Sequence, residues 1–329
     1  MAYKADQLKK LHRQKVKDYF YQNKVCNKNM LSADTGISKT TCTTILKELI
    51  EEGFITQVEN SASTGGRPSK QYQLYKDYGH SCLIHLKNGE VIEVELEVRN
   101  LYSEELFHVV EKFSVFSMKY FYEMLDEVFA KDAKITTIAL SIPGVIDHRN
   151  RVVSCDIENL AGRNIEILLA AKYDVRVVIE NDVNLAVLGY HKGERSLAFL
   201  YQPKKMYTGC GIMLNHQLYR GSTLFAGEVG YLMPYAGIEP KDDKSAKEIL
   251  NYQLTALICV LNPEIIVIYS YYPYSEGEIV EELKKSIALQ HLPKIQIAEE
   301  LEPYVFEGLM EASIDIQRNH LKVKEVRKV

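Results

Sequence analysis

Along the first 75 residues the apolar positions keep a helical period and then drop to a period of two. Between residues 5 and 23, Leu8, Leu11, Val16, Tyr19 and Phe20 recur at helical spacing and predict an amphipathic helix. Residues 31–35 predict a short second helix, Gly36 a turn, and Ser38 an N-cap for a third helix. From there Cys42, Ile45, Leu46, Leu49 and Ile50 mark one buried helical face. Lys39, Thr40, Thr41, Thr43, Thr44 and Lys47 are left on the other side. Residues 54–58 then alternate as a strand, 60–69 are turn-rich, and 71–74 return as a second strand. Helix, turn, helix and hairpin in that order predict a winged helix-turn-helix, an α+β unit, over residues 1–76.

Residues 77–329 read differently. A hairpin is predicted from 81–86 and 91–98 around Asn88-Gly89. Residues 103–114 fit a further strand, with Ser103-Glu104-Glu105 also able to begin a helical turn. Helices are predicted at 116–130, 165–173, 183–194, 246–261, 277–289 and 304–322. Strands are predicted at 134–142, 175–180, 197–201, 208–214, 264–269 and 295–298. Such alternation predicts an α/β body of two lobes, divided near residues 190–200, with the last helix packing back on the first lobe. No internal repeat or low-complexity stretch is visible.

Charge sharpens the division. Thirteen basic against seven acidic residues give the first 76 positions +6, so the remainder carries −10 of a chain total of −4. A basic head on an acidic body is the electrostatic pattern of a nucleic-acid module joined to something else. No apolar run approaches a membrane span, and no secretory leader is apparent, so a cytoplasmic protein is expected. The six cysteines never fall as CxxC and the nine histidines show no ligand spacing; core thiols and no metal site are expected.

Candidate chemistry lies in five places. Ser38, Lys39, Thr40, Thr41, Thr43, Thr44 and Lys47 supply the short hydroxyls and amines that can reach base edges and phosphates in a major groove. The hairpin tip Gly65-Gly66-Arg67-Pro68, followed by Lys70, presents a lone guanidinium suited to a narrow minor groove. Double-stranded DNA is the expected partner. In the body, residues 141–147 (SIPGVID) with 158–162 (ENLAG) form a backbone corner that a ligand can approach. Residues 179–184 (IENDVN) bring an amide and a carboxylate to a helix start, and 207–231 contain AGEVG. Asp182 suits either a ligand contact or the N-cap of the helix beginning at residue 183.

IENDVN, AGEVG and the head ending in GGRP resemble the ROK family, which groups bacterial sugar kinases with sugar-responsive repressors. The resemblance implies an actin/hexokinase-like (ribonuclease H-like) body with a sugar between the lobes. In the family's kinases the residue matching Asp182 is the general base, and those matching Asn181 and Glu228 bind sugar hydroxyls. Gly144, Asn159, Asn181, Asp182, Glu228 and Tyr231 are therefore the expected effector-binding residues.

The departures from the family's kinases are concentrated in the nucleotide elements. The phosphate-binding Asp-x-Gly-x-Thr turn is replaced by SCLIHLKNGEVIEVELEV. The second phosphate loop shrinks to Thr208-Gly209-Cys210-Gly211, and the adenine-side glycines become Ser270-Tyr271-Tyr272. The zinc-binding histidine is replaced by Tyr231, and no cysteine lies between Cys210 and Cys259. No catalysis and no cofactor are expected. Two functions remain open for the body: a regulator gated by a sugar or sugar phosphate, or a dimerisation and docking scaffold without a ligand. A sugar kinase is the third and least supported reading. Either regulator is expected as a homodimer or dimer of dimers on a palindromic operator.

Overall fold

A computed structural model describes residues 2–58, 70–155, 157, 159–204 and 207–318. The head comprises α1 (Ala2–Asn23), β1 (Val25–Asn27), α2 (Lys28–Thr35), α3 (Lys39–Glu51), β2 (Ile55–Val58) and β3 (Gln71–Leu74). Its three strands pair antiparallel in the order β1-β3-β2. Asn27 caps α2 by accepting from the Asn29 and Met30 amides, and Gly36, in the left-handed conformation, ends it. Val16, Phe20, Leu31, Cys42, Ile45, Leu46, Leu49, Phe54 and Leu74 form its core. Three residues expected in that core lie outside it: Leu8, Leu11 and Ile50 are exposed.

The first lobe contains β4 (His80–Asn88), β5 (Ile92–Arg99), β6 (Glu105–Phe113), α4 (Met118–Lys131) and β7 (Ile135–Ile142). It continues through β8 (Gly144–Ile146), β9 (Val152–Cys155), α5 (Ile165–Tyr173) and β10 (Arg176–Asn181). After α6 (Asp182–Tyr190), the second lobe holds β11 (Ser196–Gln202), β12 (Gly209–Leu214), β13 (Gln217–Leu218) and α7 (Asp243–Leu261). It ends with β14 (Ile265–Ser270), α8 (Glu276–Leu283) and β15 (Lys294–Ile297), followed by α9 (Glu302–Arg318).

The two lobes repeat one topology. The first sheet runs β10-β7-β4-β5-β6 and the second β15-β14-β11-β12-β13. In both, three antiparallel strands are extended by two parallel ones on the side of the first strand. This duplication, with no counterpart in sequence similarity, is the actin/hexokinase-like arrangement. The helix after each lobe's fifth strand, α6 or α9, packs against the other between the lobes.

Their contact is unusually close. A Cβ on Gly189 would sit 2.0 Å from the Tyr304 carbonyl oxygen, and one on Gly308 would sit 2.0 Å from that of Leu185. Each helix thus uses a glycine to admit the other's backbone.

Each lobe has its own apolar core. A third core runs without interruption from Val16 and Phe20 in the head to Val183 and Val187 of α6 and Val305 and Met310 of α9.

Candidate functional site

A cavity of about 650 Å³ opens between the lobes. The first lobe contributes Gly144 and Val145 of β8, then Glu180, Asn181, Asp182 and Asn184 at the junction of β10 and α6. The second contributes Tyr207, Arg220, Leu224, Glu228 and Tyr231. The junction is fixed by capping. Asn181 sits in extended conformation, and its side-chain oxygen accepts from the Val183 and Asn184 amides at 2.9 and 3.4 Å. Its amide group donates to the Gly144 carbonyl at 2.9 Å, tying β8 to the helix start. One amide hydrogen is then what Asn181 can offer a ligand.

Asp182 follows as the first helical residue, so the capping role that the sequence allowed it falls to Asn181. The Asp182 side chain is buried and accepts from the Val183 amide at 2.8 Å. Its carboxylate stands at the positive end of the α6 dipole, where negative charge is favoured. Glu180 accepts from Asn184 at 2.9 Å and meets the Arg220 guanidinium at 2.6 Å. His148 Nε2 lies 2.9 Å from the Ser222 carbonyl. Both of these last contacts cross from one lobe to the other.

Glu228 occupies a loop pressed onto β12: a Cβ on its neighbour Gly227 would collide with the Cys210 carbonyl at 1.8 Å. Burial pushes the Glu228 carboxyl above its ordinary value, and among the described residues no hydrogen-bond or ion-pair partner reaches it. An acceptor held in a cavity without a partner is suited to a ligand hydroxyl. Tyr231 reaches the cavity through the short 3-10 turn Val229–Tyr231 and stacks on Tyr207.

Of the six residues expected to meet an effector, Gly144, Asn181, Asp182, Glu228 and Tyr231 line this one cavity. Asn159 does not join them. It stands at a positive φ of 72°, donates to the Phe116 carbonyl at 3.3 Å, and accepts from Arg163 through its own carbonyl at 2.5 Å. Arg220, Glu180 and His148 were not anticipated. Their partners lie 40 and 74 residues away, and no local spacing announces such pairs.

In the head, Ser38 accepts from the Thr41 amide at 3.2 Å and starts α3. Lys39, Thr40, Thr43, Thr44 and Lys47 are all exposed, and Thr41 is half-buried. The hydroxyls of Thr43 and Thr44 donate back to the Lys39 and Thr40 carbonyls at 2.8 and 3.4 Å. Among the described residues the one ion-pair partner of Lys47 is Glu51, at 3.8 Å, with both side chains largely in solvent, so it stays available to another anion. Lys70 is exposed at the base of the hairpin; Gly65, Gly66 and Arg67 lie outside the described residues.

The head is joined to the body through α9. Tyr21 donates to Gln317 at 3.4 Å, Gln317 donates to Ser81 at 3.3 Å, and Ser81 lies 2.6 Å from Ser313. All four of these side chains are buried. Gln14 donates to the Arg318 carbonyl at 2.6 Å, and Lys24 to that of Leu101 at 2.8 Å. Glu52, at the end of α3, binds Lys17, Arg13 and the Tyr78 hydroxyl. Burial opposes its charge, but those hydrogen bonds dominate and hold its carboxyl down at about 2.

Comparison with known proteins places both parts. Residues 116–246 match the ROK family, and residues 20–56 match the winged helix-turn-helix DNA-binding family. The xylose repressor of Caldicellulosiruptor bescii is 24% identical over 238 residues, covering 68% of this chain and 59% of that protein. That of Bacillus subtilis is 23% identical over 241 residues, covering 69% and 62%. The chain therefore spans about six-tenths of the length of these curated relatives. Among solved structures, a ROK family transcriptional regulator, a homolog of the E. coli MLC protein, superposes with a TM-score of 0.74 at 14% identity. That match covers 94% of this chain and 97% of the other, and establishes the shared fold.

Proposed function

We propose that this chain, a winged helix-turn-helix head on a ROK-family body, is a DNA-binding repressor of carbohydrate genes gated by a neutral sugar. The observation that carries the reading is the path of α9. One face of α9 packs on α6, whose first residues enter the cavity, and its C-terminal end holds the head through Gln317 and Arg318. A ligand that favours one arrangement of the lobes over another shifts α6 against α9 and so reorients the head. Two contacts that cross between the lobes, Arg220 with Glu180 and His148 with Ser222, are bonds such a shift would break or make.

The cavity's charge favours a neutral ligand. Glu166, Glu180, Asp182 and Glu228 line it against His148 and Arg220, and Arg220 is already paired with Glu180. A phosphate there would face carboxylates, whereas sugar hydroxyls would donate to them. Phosphoryl transfer is disfavoured by the hairpin that takes the place of the kinases' phosphate turn. There Lys87 is ringed by Glu93, Glu95 and Glu302 at 2.6, 2.7 and 3.4 Å, an acidic cluster that repels a nucleotide. The protein acts as a homodimer in this reading, so that two heads meet the half-sites of a palindromic operator.

The test is thermal melting against a panel of neutral sugars, sugar phosphates and nucleotides, with Asp182→Ala as control. A neutral sugar should raise Tm in the wild type and not in the variant. Silence across the panel would favour a scaffold without ligand, and stabilisation by ATP would restore the kinase.

A further inference from the structure

Carboxylates reach the cavity from both lobes; on the second-lobe side it also carries an aromatic group that sugar hydroxyls do not require. Tyr207 and Tyr231 line the cavity and stack on each other, with ring centroids 4.7 Å apart and planes 14° apart. Phe225 leans on Tyr231 at 5.3 Å. These rings are 49%, 50% and 47% exposed for Tyr207, Tyr231 and Phe225. The base of Tyr207 is packed closely: a Cβ on Gly230 would lie 2.7 Å from the Tyr207 Cβ and 3.0 Å from the Thr208 nitrogen, so glycine at 230 lets this segment approach. The Tyr207 hydroxyl lies against Gly237 in the same way, at 3.3 Å from a Cβ built there.

Two half-bare rings that line a polar cavity, with a third leaning on one of them, form an apolar patch with a purpose to explain. Aromatic faces carry negative charge density and attract the C–H groups on the face of a pyranose, or the edge or face of another aromatic ring. Size points the same way. At about 650 Å³ the cavity has room for roughly twenty waters at liquid density, more than a single pyranose displaces. Glu228 and Tyr231 belong to one short turn, so the acceptor for the first ring and the platform for a second are three residues apart.

We propose that the effector is a glycoside and not a free monosaccharide. Its first sugar ring lies at Asp182 and Glu228, and the ring joined through the glycosidic oxygen stacks on the Tyr207, Tyr231 and Phe225 platform. This rests on the cavity being the sugar site, and deepens that reading by naming the ligand class. The second ring is a sugar or an aryl group; both present a flat, weakly polar face to the tyrosines.

Isothermal titration with two matched sets decides it: glucose, cellobiose and p-nitrophenyl β-D-glucoside, and xylose, xylobiose and p-nitrophenyl β-D-xyloside. In at least one set, a two-ring ligand should bind about tenfold tighter than its monosaccharide. Which of the two binds tighter identifies the second ring as sugar or aryl. Tyr231→Ala should bring that ratio close to one, Tyr231→Phe should preserve it, and Asp182→Asn should abolish binding of the whole set. A monosaccharide that binds as tightly as its two-ring partners overturns the proposal while leaving the sugar-gated repressor standing. Failure of every sugar to bind overturns both. Conversion of a dimer to a monomer by Tyr231→Ala, seen by sedimentation, would make the platform a subunit interface and also end the proposal.

Discussion

Replacing Gly308 by alanine tests the α6–α9 contact directly. The added methyl would lie 2.0 Å from the Leu185 carbonyl oxygen, 2.7 Å from its carbon and 2.9 Å from its Cα, where real Cβ atoms essentially never come within 3.0 Å. The helices must therefore part by at least 1 Å at that point, the difference between 3.0 and 2.0 Å. All three obstructing atoms are backbone, so no rotamer change relieves the clash. Overpacking of a close-packed interior costs about 1–3 kcal/mol, and a backbone collision belongs at the upper end. With roughly 2–4 °C of Tm per kcal/mol in a domain of this size, about 3 kcal/mol corresponds to a fall of roughly 6–12 °C. Gly277→Ala is the matched control. It makes the same chemical change in α8, on an exposed turn with nothing within 4 Å of the new Cβ. There alanine should stabilise by about 0.4–1 kcal/mol through the entropy it removes from the unfolded chain. Both variants are read by scanning calorimetry. A Gly308→Ala protein melting with the wild type, or moving in the same direction as Gly277→Ala, would refute the reasoning.

Glu228→Gln should raise the Tm of the ligand-free protein, because burial holds the carboxyl above its ordinary value and its ionised form costs stability as pH rises through that raised value. The same change should weaken sugar binding at neutral pH, a loss of function with a gain of stability that titration and melting together reveal. Glu52 has the opposite sign. Its carboxyl is held at about 2, against 4.5 unperturbed, so its contribution is present above about pH 4.5 and is lost as pH falls toward 2. Wild type should then melt above Glu52→Gln at neutral pH, and the gap should close across that acid window. In the head, Lys47→Ala should reduce the slope of log affinity for DNA against log salt by about 0.9, the release expected for one phosphate contact. An unchanged slope would remove Lys47 from the interface.

The head was legible wherever a local rule decides the backbone. Ser38 as an N-cap, Gly36 as a left-handed turn and the alternating hairpin strands are choices made within four residues of chain. Periodicity specifies a helix face but not what covers it, which is why Leu8 and Leu11 follow the pattern of α1 and yet stand in solvent. Strand β1, with three residues, and the β8–β9 ribbon, with three and four, are too short to show a period. The duplicated sheet order was illegible for another reason. Which strand pairs with which depends on contacts across the whole lobe, not on the alternation within a strand. Asn181, Asp182 and Glu228 could be read because they sit in short motifs. Arg220 could not, because its role depends on Glu180 being carried across the gap between lobes.

Helix α9 comes after every other described element in the chain, yet it touches β4, β7, β10, α6 and α1. During synthesis the core shared by the head, α6 and α9 therefore stays incomplete until these seventeen residues emerge. The face of α6 that α9 will cover, with Leu185 and Gly189, stays open to water for that interval. Contacts of such long sequence separation slow folding and leave apolar surface exposed meanwhile. A chain interrupted before residue 302 would keep the bond from Lys24 to the Leu101 carbonyl of the first lobe, but would lose the link through which the head meets α6. In the gating proposed above, that link depends on the last of the described helices.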